Sequence, residues 1–298
     1  MPNPRSIERT CWTLRIVLLV QCFGLAMKYL WGTFETEADV YGLLLFDWQW
    51  PEETALSIEN GGLKSALAAA LAVWLLASVR AQWPNKSSFA RNGTIWLEAV
   101  CLIWIACWQL LFTTLHAYRG GSYMAEWAVA AHAVRFVSPL ALVVLLFAKF
   151  EDGGDNFWAG TGAWLLRFAI AATFVTHGLE AIWQNPAFLD LLIGSANNLL
   201  GWALSQSVAA VMLVIIGVID LILAFLLLTT RWRWVVVYLA FWGFVTASSR
   251  ITAAGLVGLH VALLALSWPG GERARRFAAT VAALAPAGVF SLVVALAA

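Results

Sequence analysis

Apolar runs of about 17 to 24 residues recur along the whole chain, and this is the length that an α-helix needs to cross about 30 Å of hydrocarbon. Hydrophobic residues make up 62% of the 298 positions and charged residues only 12%. So few charges cannot cover the surface of a soluble domain. Membrane-spanning β-strands would show short alternating segments, whereas these runs are continuous. The sequence therefore predicts an all-α integral membrane protein.

Nine transmembrane helices are predicted from these runs. The seventh and eighth form one apolar stretch that is too long for a single tilted helix, so we divide it at Ser248-Ser249-Arg250. The predicted spans cover residues 12–31, 63–79, 93–115, 127–148, 162–184, 207–229, 234–249, 252–268 and 277–297.

Lysine and arginine residues collect in alternate connections, which orients the chain in the membrane. They precede the first span and occupy the second, sixth and eighth connections, whereas the first connection, residues 33–60, is acidic. We therefore expect a cytoplasmic N-terminus, an extracytoplasmic acidic loop and an extracytoplasmic C-terminus in a bacterial-type inner membrane. The basic residues are Arg5, Arg9, Arg15, Arg80, Lys86, Arg91, Arg231, Arg233, Arg273, Arg275 and Arg276.

An internal repeat is predicted from the layout of the two halves. Leu14-Arg15-Ile16 in the first half corresponds to Leu166-Arg167-Phe168 in the second, and a long connection follows the first span of each half. Two parallel four-helix-bundle repeats of this kind usually pack around a shared interface. The predicted units are residues 1–150, residues 160–268 and an extra C-terminal helix at residues 277–298.

Composition and motifs exclude several kinds of function. The net charge is +1, which gives no basic surface for nucleic acid. The four cysteines form no Cys-x-x-Cys pair, and we predict no metal site. No phosphate-binding glycine loop or serine-hydrolase arrangement is present.

The chain is rich in tryptophan, with 18 residues of this type. Most of them lie near predicted span ends, as in the aromatic belts of lipid-facing helices. Trp104, Trp108 and Trp242 are interior, and for these three a stacking platform for a ring-shaped ligand is the alternative interpretation.

Charged residues within the apolar spans need a partner or a route to water, because a charge in hydrocarbon costs about 2.5 to 3.5 kcal/mol or more. Arg15 and Arg167 stand at the start of their spans, and we expect both side chains to extend to the lipid headgroups. Glu98 lies one turn into the third span, near the same interface. Asp220 lies near the middle of the sixth span, so we expect it to be protonated or paired, in a structural or a functional role.

A second group of ionisable residues falls in the outer half of the predicted membrane. His177 and Glu180 share one face of the fifth span, and His132 and Arg135 have the same spacing on the fourth. One interpretation is a buried ion-pair network that holds the two halves together. The other is a ligand pocket in which His177 and Glu180 act as acid–base groups toward a redox ring. Arg250 and Lys28 are further candidate ligand-binding residues.

Haem is a weaker possibility for these histidines. A b-type haem needs two facing histidines, or one with another axial ligand. His132 and His177 are the candidates, and no further signal supports them.

The segment from Leu165 to Gly255 resembles the DoxX/DoxD-like family of small four-helix membrane proteins. The resemblance rests on Arg167, on Phe174-Val175-Thr176-His177-Gly178-Leu179-Glu180, and on Gly217 and Asp220 in the following helix. In the first half Phe23-Gly24 stands where the family has His-Gly. The resemblance implies a site in the second half and, as in some family members, a link to quinone chemistry and membrane redox complexes.

From these observations we expect a membrane protein that binds a quinone-like or lipid-like ligand in its outer half and serves a redox process. The sequence does not define a reaction. The alternative is a non-catalytic accessory or scaffolding subunit of a larger membrane complex, with the polar residues acting as contacts between helices. Expected partners are membrane lipid and either other protein subunits or further copies of this chain.

The predicted topology can be tested by cysteine labelling of intact cells, in a variant that lacks the four native cysteines. A cysteine at Glu37 should react with a membrane-impermeant thiol reagent, and a cysteine at Lys86 should not. The reverse labelling pattern would invert the predicted orientation and move the candidate site to the cytoplasmic leaflet.

Overall fold

A computed structural model describes residues 4–30, 39–82, 88–120, 123–148 and 157–253 of the chain. These residues contain α-helices, a π-helical turn and a 3-10 turn, and no β-strand. The elements are α1 (Pro4–Leu30), α2 (Asp39–Gly42), the π-helical turn (Leu43–Asp47), α3 (Glu52–Gln82), α4 (Ser88–Arg119), the 3-10 turn (Ala125–Trp127), α5 (Ala128–Ala131), α6 (Ala133–Phe147), α7 (Phe157–Ile182), α8 (Pro186–Leu200), α9 (Gln206–Thr229) and α10 (Arg233–Ala253).

Six segments are long and apolar enough to cross a membrane. They correspond to the first six predicted spans, so the all-α class is confirmed, and the long apolar helices agree with an integral membrane protein. The predicted seventh span corresponds to α10. The predicted spans 252–268 and 277–297 lie almost wholly outside the described residues, so the nine-helix count and the repeat stay predictions. The six segments are Ile7–Ala26, Glu52–Gln82, Asn92–Arg119, Ala125–Phe147, Phe157–Ile182 and Gln206–Thr229.

The first four long helices form a closed ring. Each of α1, α3, α4 and α6 packs against the next, and α6 returns to α1. The second part of the chain is added to this ring, because α7 packs on α6, α9 packs on α7, and α10 packs on α8 and α9. One apolar core contains buried side chains from the seven helices α1, α3, α4, α6, α7, α9 and α10.

Helix α7 has two buried stripes, and each one faces a different neighbour. Residues 162, 166, 169, 173, 177 and 180 follow helical spacing along one stripe, where Gly162 lies against Leu145 of α6. Residues 167, 171, 174, 178 and 181 form the other stripe, where Gly178 lies against Gly217 of α9. The two glycines let the backbones of α7 and α9 approach closely, as small residues do between membrane helices.

The short helices all lie at one end of the bundle. The rings of Trp96 and Phe147 are in contact, and so are those of Trp127 and Trp183. Each contact joins the start of one helical segment to the end of another, so these neighbouring helices run in opposite directions. The C-terminal end of α7 therefore lies beside the N-terminal ends of α6 and α9. Helix α2 with the π-helical turn, α5 with the 3-10 turn, and α8 are all placed there, and we call this the capped end.

The second span begins earlier than predicted. The predicted span started at residue 63, whereas α3 begins at Glu52, because polar residues such as Glu59 lower the hydropathy of this segment. Glu52 and Glu53 lie in the first helical turn, where carboxylates interact favourably with the helix dipole. Glu59 is fully buried and accepts a hydrogen bond from a backbone N–H of α2. Part of the predicted acidic loop 33–60 is therefore helical.

The connection after the fifth span is helical as well. Pro186 stands in the first turn of α8, and the side chain of Asn185 accepts a hydrogen bond from the backbone N–H of Ala187 at 3.0 Å. Gly201 has a φ of 67° and ends the helix in the left-handed conformation that glycine adopts easily. Helix α8 packs against α10 and α9.

The close crossing of α7 and α9 can be tested with Gly217→Ala. The added methyl group would overlap the carbonyl oxygen of Gly178, so we expect a loss of about 1–3 kcal/mol in the free energy of unfolding. Thermal unfolding in detergent measures this loss. Gly160→Ala on α7 is the matched control, because its methyl group would meet no atom within 4 Å. Equal unfolding temperatures for the two variants would show that the crossing is looser than described.

Candidate functional site

The His177–Glu180 pair lies in the last two turns of α7, at the capped end. Nδ1 of His177 lies 2.9 Å from Oε2 of Glu180. The Glu180 side chain is only 10% exposed, whereas the His177 side chain is 37% exposed. No described residue bonds Nε2 of His177. The pair therefore combines a buried carboxylate with an accessible imidazole, which is an arrangement suited to proton exchange.

An aromatic ring of α8 borders the imidazole. The ring of Phe188 lies 5.6 Å from that of His177, measured between centroids, at an interplanar angle of 57°. Phe188 is half-buried and belongs to a small apolar cluster that includes Ala181 and Leu213. Helix α8 therefore forms an apolar wall beside the polar pair.

Helical spacing places His177 and Glu180 on the side of α7 that is turned toward α6. They continue the stripe of α7 that begins with Gly162 against α6. Helix α5 packs on α7, the rings of Trp127 and Trp183 meet edge to face at 6.1 Å, and the Tyr123 hydroxyl donates to the Trp183 carbonyl at 3.0 Å. The pair is thus held in the angle between α7, α8 and the short helix α5.

His132 lies at the break between α5 and α6. Its φ of −109° and ψ of 16° are not helical, and they separate Ala131 from Ala133. The backbone N–H of Arg135 donates to the His132 carbonyl at 2.9 Å. Interrupted helices at membrane depth are tolerated only where protein or water surrounds them. Hence the break belongs to an internal face of the protein, next to α7.

A glutamine of α1 supplies a hydrogen bond that the backbone of α6 lacks at Pro139. Pro139 has no N–H, so the carbonyl of Arg135 lacks its usual donor within the helix. Nε2 of Gln21 donates to that carbonyl at 3.3 Å. This hydrogen bond ties α1 to α6 near the candidate site.

Helix α7 ends at Ile182, two residues after Glu180, in a Schellman turn. The N–H of Asn185 donates to the Glu180 carbonyl at 2.9 Å, and the N–H of Gln184 donates to the Ala181 carbonyl at 3.0 Å. Gln184 has a φ of 57°, and the non-glycine residues Gln49 and Met124, also at the capped end, have φ values of 56° and 59°. Left-handed backbone costs such residues about 1–3 kcal/mol and is common at binding sites.

His132 and Arg135 lie at the start of α6, and His177 and Glu180 lie near the end of the adjacent helix α7, so all four are at the capped end. Lys28 and Arg250 belong to the ends of α1 and α10 that lie at the same level, by the direction of those helices. Their side-chain contacts lie outside the described part of the chain. The assignment of these six residues to a common ligand site stays a prediction.

Asp220 lies on α9 and packs against the stripe of α7 that contains Gly178. A methyl group at Gly178 would lie 3.3 Å from Cβ of Asp220, on the stripe that faces α9. Asp220 is 6% exposed, and its Oδ1 has no hydrogen-bond partner among the described residues. Trp242 of α10 lies nearby, but its indole N–H is not aligned for a hydrogen bond. No described cation pairs with Asp220, and the expectation that this residue is either protonated or paired stays a prediction.

Glu98 lies in a buried ion cluster at the end opposite the capped end. Nε and Nη2 of Arg15 lie 2.7 Å and 2.6 Å from its Oε1, and Nη2 of Arg80 donates to its Oε2. The side chains of Arg15 and Glu98 are 2% and 0% exposed. The expectation that Arg15 extends to the headgroups is therefore wrong, because Glu98 holds its guanidinium inside the ring of helices.

Arg167 also binds protein groups. Its Nη1 donates to the carbonyls of Leu227 and Thr230 at 3.2 Å and 3.1 Å. These carbonyls end α9, where no further helical N–H is present to satisfy them. The guanidinium also lies 5.5 Å from the centre of the Trp164 ring.

Sequence reasoning missed the role of Arg80, which it placed in a connection. Arg80 lies inside α3, two residues before the helix ends at Gln82. The sequence does contain a signal for this pairing. A carboxylate one turn inside a span needs a cation, and Arg15 and Arg80 were both expected at the same membrane face as Glu98. The sequence separation of 83 residues between Arg15 and Glu98 hides that pairing.

An apolar groove of about 500 Å³ runs along α9 and α10 and is lined by Leu223, Trp234, Val235, Val237, Tyr238 and Phe241. It lies toward the end opposite the capped end and does not reach His177.

The described residues contain no group of three or more His, Cys, Asp or Glu side chains that could hold a metal ion. Comparisons with protein-family models, with curated proteins and with solved structures find no match to this chain.

The ion cluster can be tested with Glu98→Gln. This change leaves two buried guanidiniums without a counter-charge, so we expect a loss of about 3–5 kcal/mol in the free energy of unfolding. Denaturation in detergent measures the loss, and Glu126→Gln, at an exposed position of the 3-10 turn, is the control with an expected change within about 0.5 kcal/mol. A Glu98→Gln protein as stable as this control would show that the cluster does not hold α1, α3 and α4 together.

Proposed function

We propose that this chain is a DoxX-like integral membrane protein that binds a quinone-like or lipid-like ligand at the capped end and serves a membrane redox process. The observation that carries the proposal is the His177–Glu180 pair, with its exposed imidazole and its buried carboxylate 2.9 Å apart. The left-handed backbone of Gln184 at the end of α7 and the break at His132 add support, because both features are common near ligands.

The chemistry of the pair suits a quinone head. Glu180 bonded to Nδ1 fixes the orientation of the imidazole and leaves Nε2 directed away from the carboxylate. Nε2 would then accept a proton from a quinol hydroxyl or return one to a quinone oxygen, within a hydrogen-bond distance of about 3 Å. The ligand supplies the two-electron chemistry, and the electrons pass to or from a separate redox protein.

The second candidate function is that of an accessory subunit. The bonds of Gln21 to Arg135 and of Arg15 to Glu98 show that this chain uses intramembrane polar groups to pack its own helices. If the His177–Glu180 pair has the same role, the protein supports a larger complex and needs no ligand. The following experiment separates the two functions.

His177→Ala should lower the quinone content of the purified protein at least about fivefold while the unfolding temperature stays within about 2 °C, because a half-exposed imidazole contributes little to packing. Extraction and chromatography measure the quinone. Val175→Ala, which truncates an exposed side chain two residues away on α7, is the control and should leave the content unchanged.

Two results would count against the ligand site. A His177→Ala protein that loses stability together with quinone would favour the accessory-subunit function. Wild-type protein that carries no quinone, and whose unfolding temperature does not respond to added ubiquinone or menaquinone, would exclude quinone as the ligand.

A further inference from the structure

The buried ion cluster of Arg15, Glu98 and Arg80 carries more positive than negative charge. We propose that it binds the phosphate headgroup of an anionic lipid, at the end of the bundle opposite the capped end. This inference goes beyond the proposed function and does not depend on it. It rests on the charge of the cluster, on its unused donors and on its position.

The charges of the cluster do not balance. Two guanidiniums share one carboxylate, which leaves an excess of one positive charge on side chains that are 2% and 19% exposed for Arg15 and Arg80. An uncompensated charge in a low-dielectric surrounding is strongly unfavourable. A negatively charged group beside the cluster would neutralise this excess.

The hydrogen-bond donors show where that group would bind. Nε of Arg15 donates to one oxygen of Glu98, and Nη2 of Arg80 donates to the other oxygen. Nη2 of Arg15 lies 2.6 Å from the first oxygen but makes no hydrogen bond with any described residue. Nη1 of Arg80 is buried and has no hydrogen-bond partner among the described residues. A guanidinium presents its donors in a planar fork that matches phosphate oxygens. Arg80 is the more exposed of the two arginines, so we expect its guanidinium to be the group that contacts the phosphate.

Access to the cluster is restricted to the side of Arg80. The ring of Trp12 lies 5.2 Å from the Arg15 guanidinium, and Arg15 is otherwise enclosed by protein. Arg80 is the more exposed of the two arginines and lies in the last turn of α3. A helix end that leaves an apolar span is at headgroup depth, where lipid phosphates lie.

Exposed apolar side chains lie on α3 and α4 at the level of the cluster. Trp74 and Leu75 on α3, and Trp96 and Leu97 on α4, are exposed within two turns of Arg80 and Glu98. Exposed apolar side chains on membrane spans contact acyl chains. A lipid with its phosphate on Arg80 would thus lay its tails on side chains that already suit them, which favours a lipid over a free anion.

The experiment uses the full chain, delipidated in a neutral detergent, and measures its unfolding temperature with mixed micelles of phosphatidylglycerol or of phosphatidylcholine. We expect phosphatidylglycerol to raise the unfolding temperature by several degrees more than phosphatidylcholine, with a saturable dependence. Arg80→Gln should abolish this difference. Arg231→Gln, at an exposed arginine between α9 and α10 on the same end of the bundle, should keep it.

Several outcomes would overturn the proposal. Equal responses of the wild type to the two lipids would show no preference for an anionic headgroup. Loss of the preference in Arg231→Gln as well would indicate general surface attraction. An equal shift with inorganic phosphate alone would make the ligand a free anion. If Arg80→Gln does not fold, Arg80→Lys keeps the charge but lacks the free edge of the guanidinium, and an undiminished preference in that variant would contradict the assigned contact.

Discussion

Every polar group inside a lipid-embedded bundle must find its partner within the protein, because the hydrocarbon offers none. The described helices satisfy this constraint at two points where helical hydrogen bonding stops. Gln21 supplies the donor that Pro139 withholds from the carbonyl of Arg135. Arg167 binds the last carbonyls of α9. In this protein a side chain from a neighbouring helix often completes the backbone hydrogen bonding, so helix integrity and helix packing depend on each other.

The same constraint explains how ionisable residues are arranged at the two ends of the bundle. Each carboxylate oxygen of Glu98 accepts a hydrogen bond from an arginine, Arg15 or Arg80, and the three residues connect helices of the first ring. The His177–Glu180 pair is contained within one helix and leaves one side of the imidazole accessible. A closed cluster between helices stabilises the fold, whereas a pair on a single helix adds little to packing and is free to act on a ligand. This contrast is the physical basis for placing the candidate site at α7.

Much of this architecture follows from the sequence, and the remainder has identifiable causes. The length of the apolar runs gave the six described spans, since hydrocarbon thickness sets helix length. The i, i+3 spacing of His177 and Glu180 was enough to place them on one face. The early start of α3 was missed because a hydropathy average penalises Glu59, a residue that the protein buries and bonds. The pairing of Arg15 with Glu98 depends on the packing of α1 against α4, which no local pattern in the sequence records.

Helix α7 is fixed between two neighbours by its two buried stripes, and this has a mechanical consequence. A rotation of α7 about its own axis toward α5 would pull Gly178 away from Gly217 and expose Asp220. The rim around His177 is different, because α5 has only four residues and α8 is joined to α7 through a strained turn. A ligand at this rim would contact the fixed helix α7 on one side and the short elements α5 and α8, each with its own connection to the bundle, on the others. Adjustment to molecules of different size would then come from α5 and α8, while the helix that carries His177 and Glu180 keeps its place.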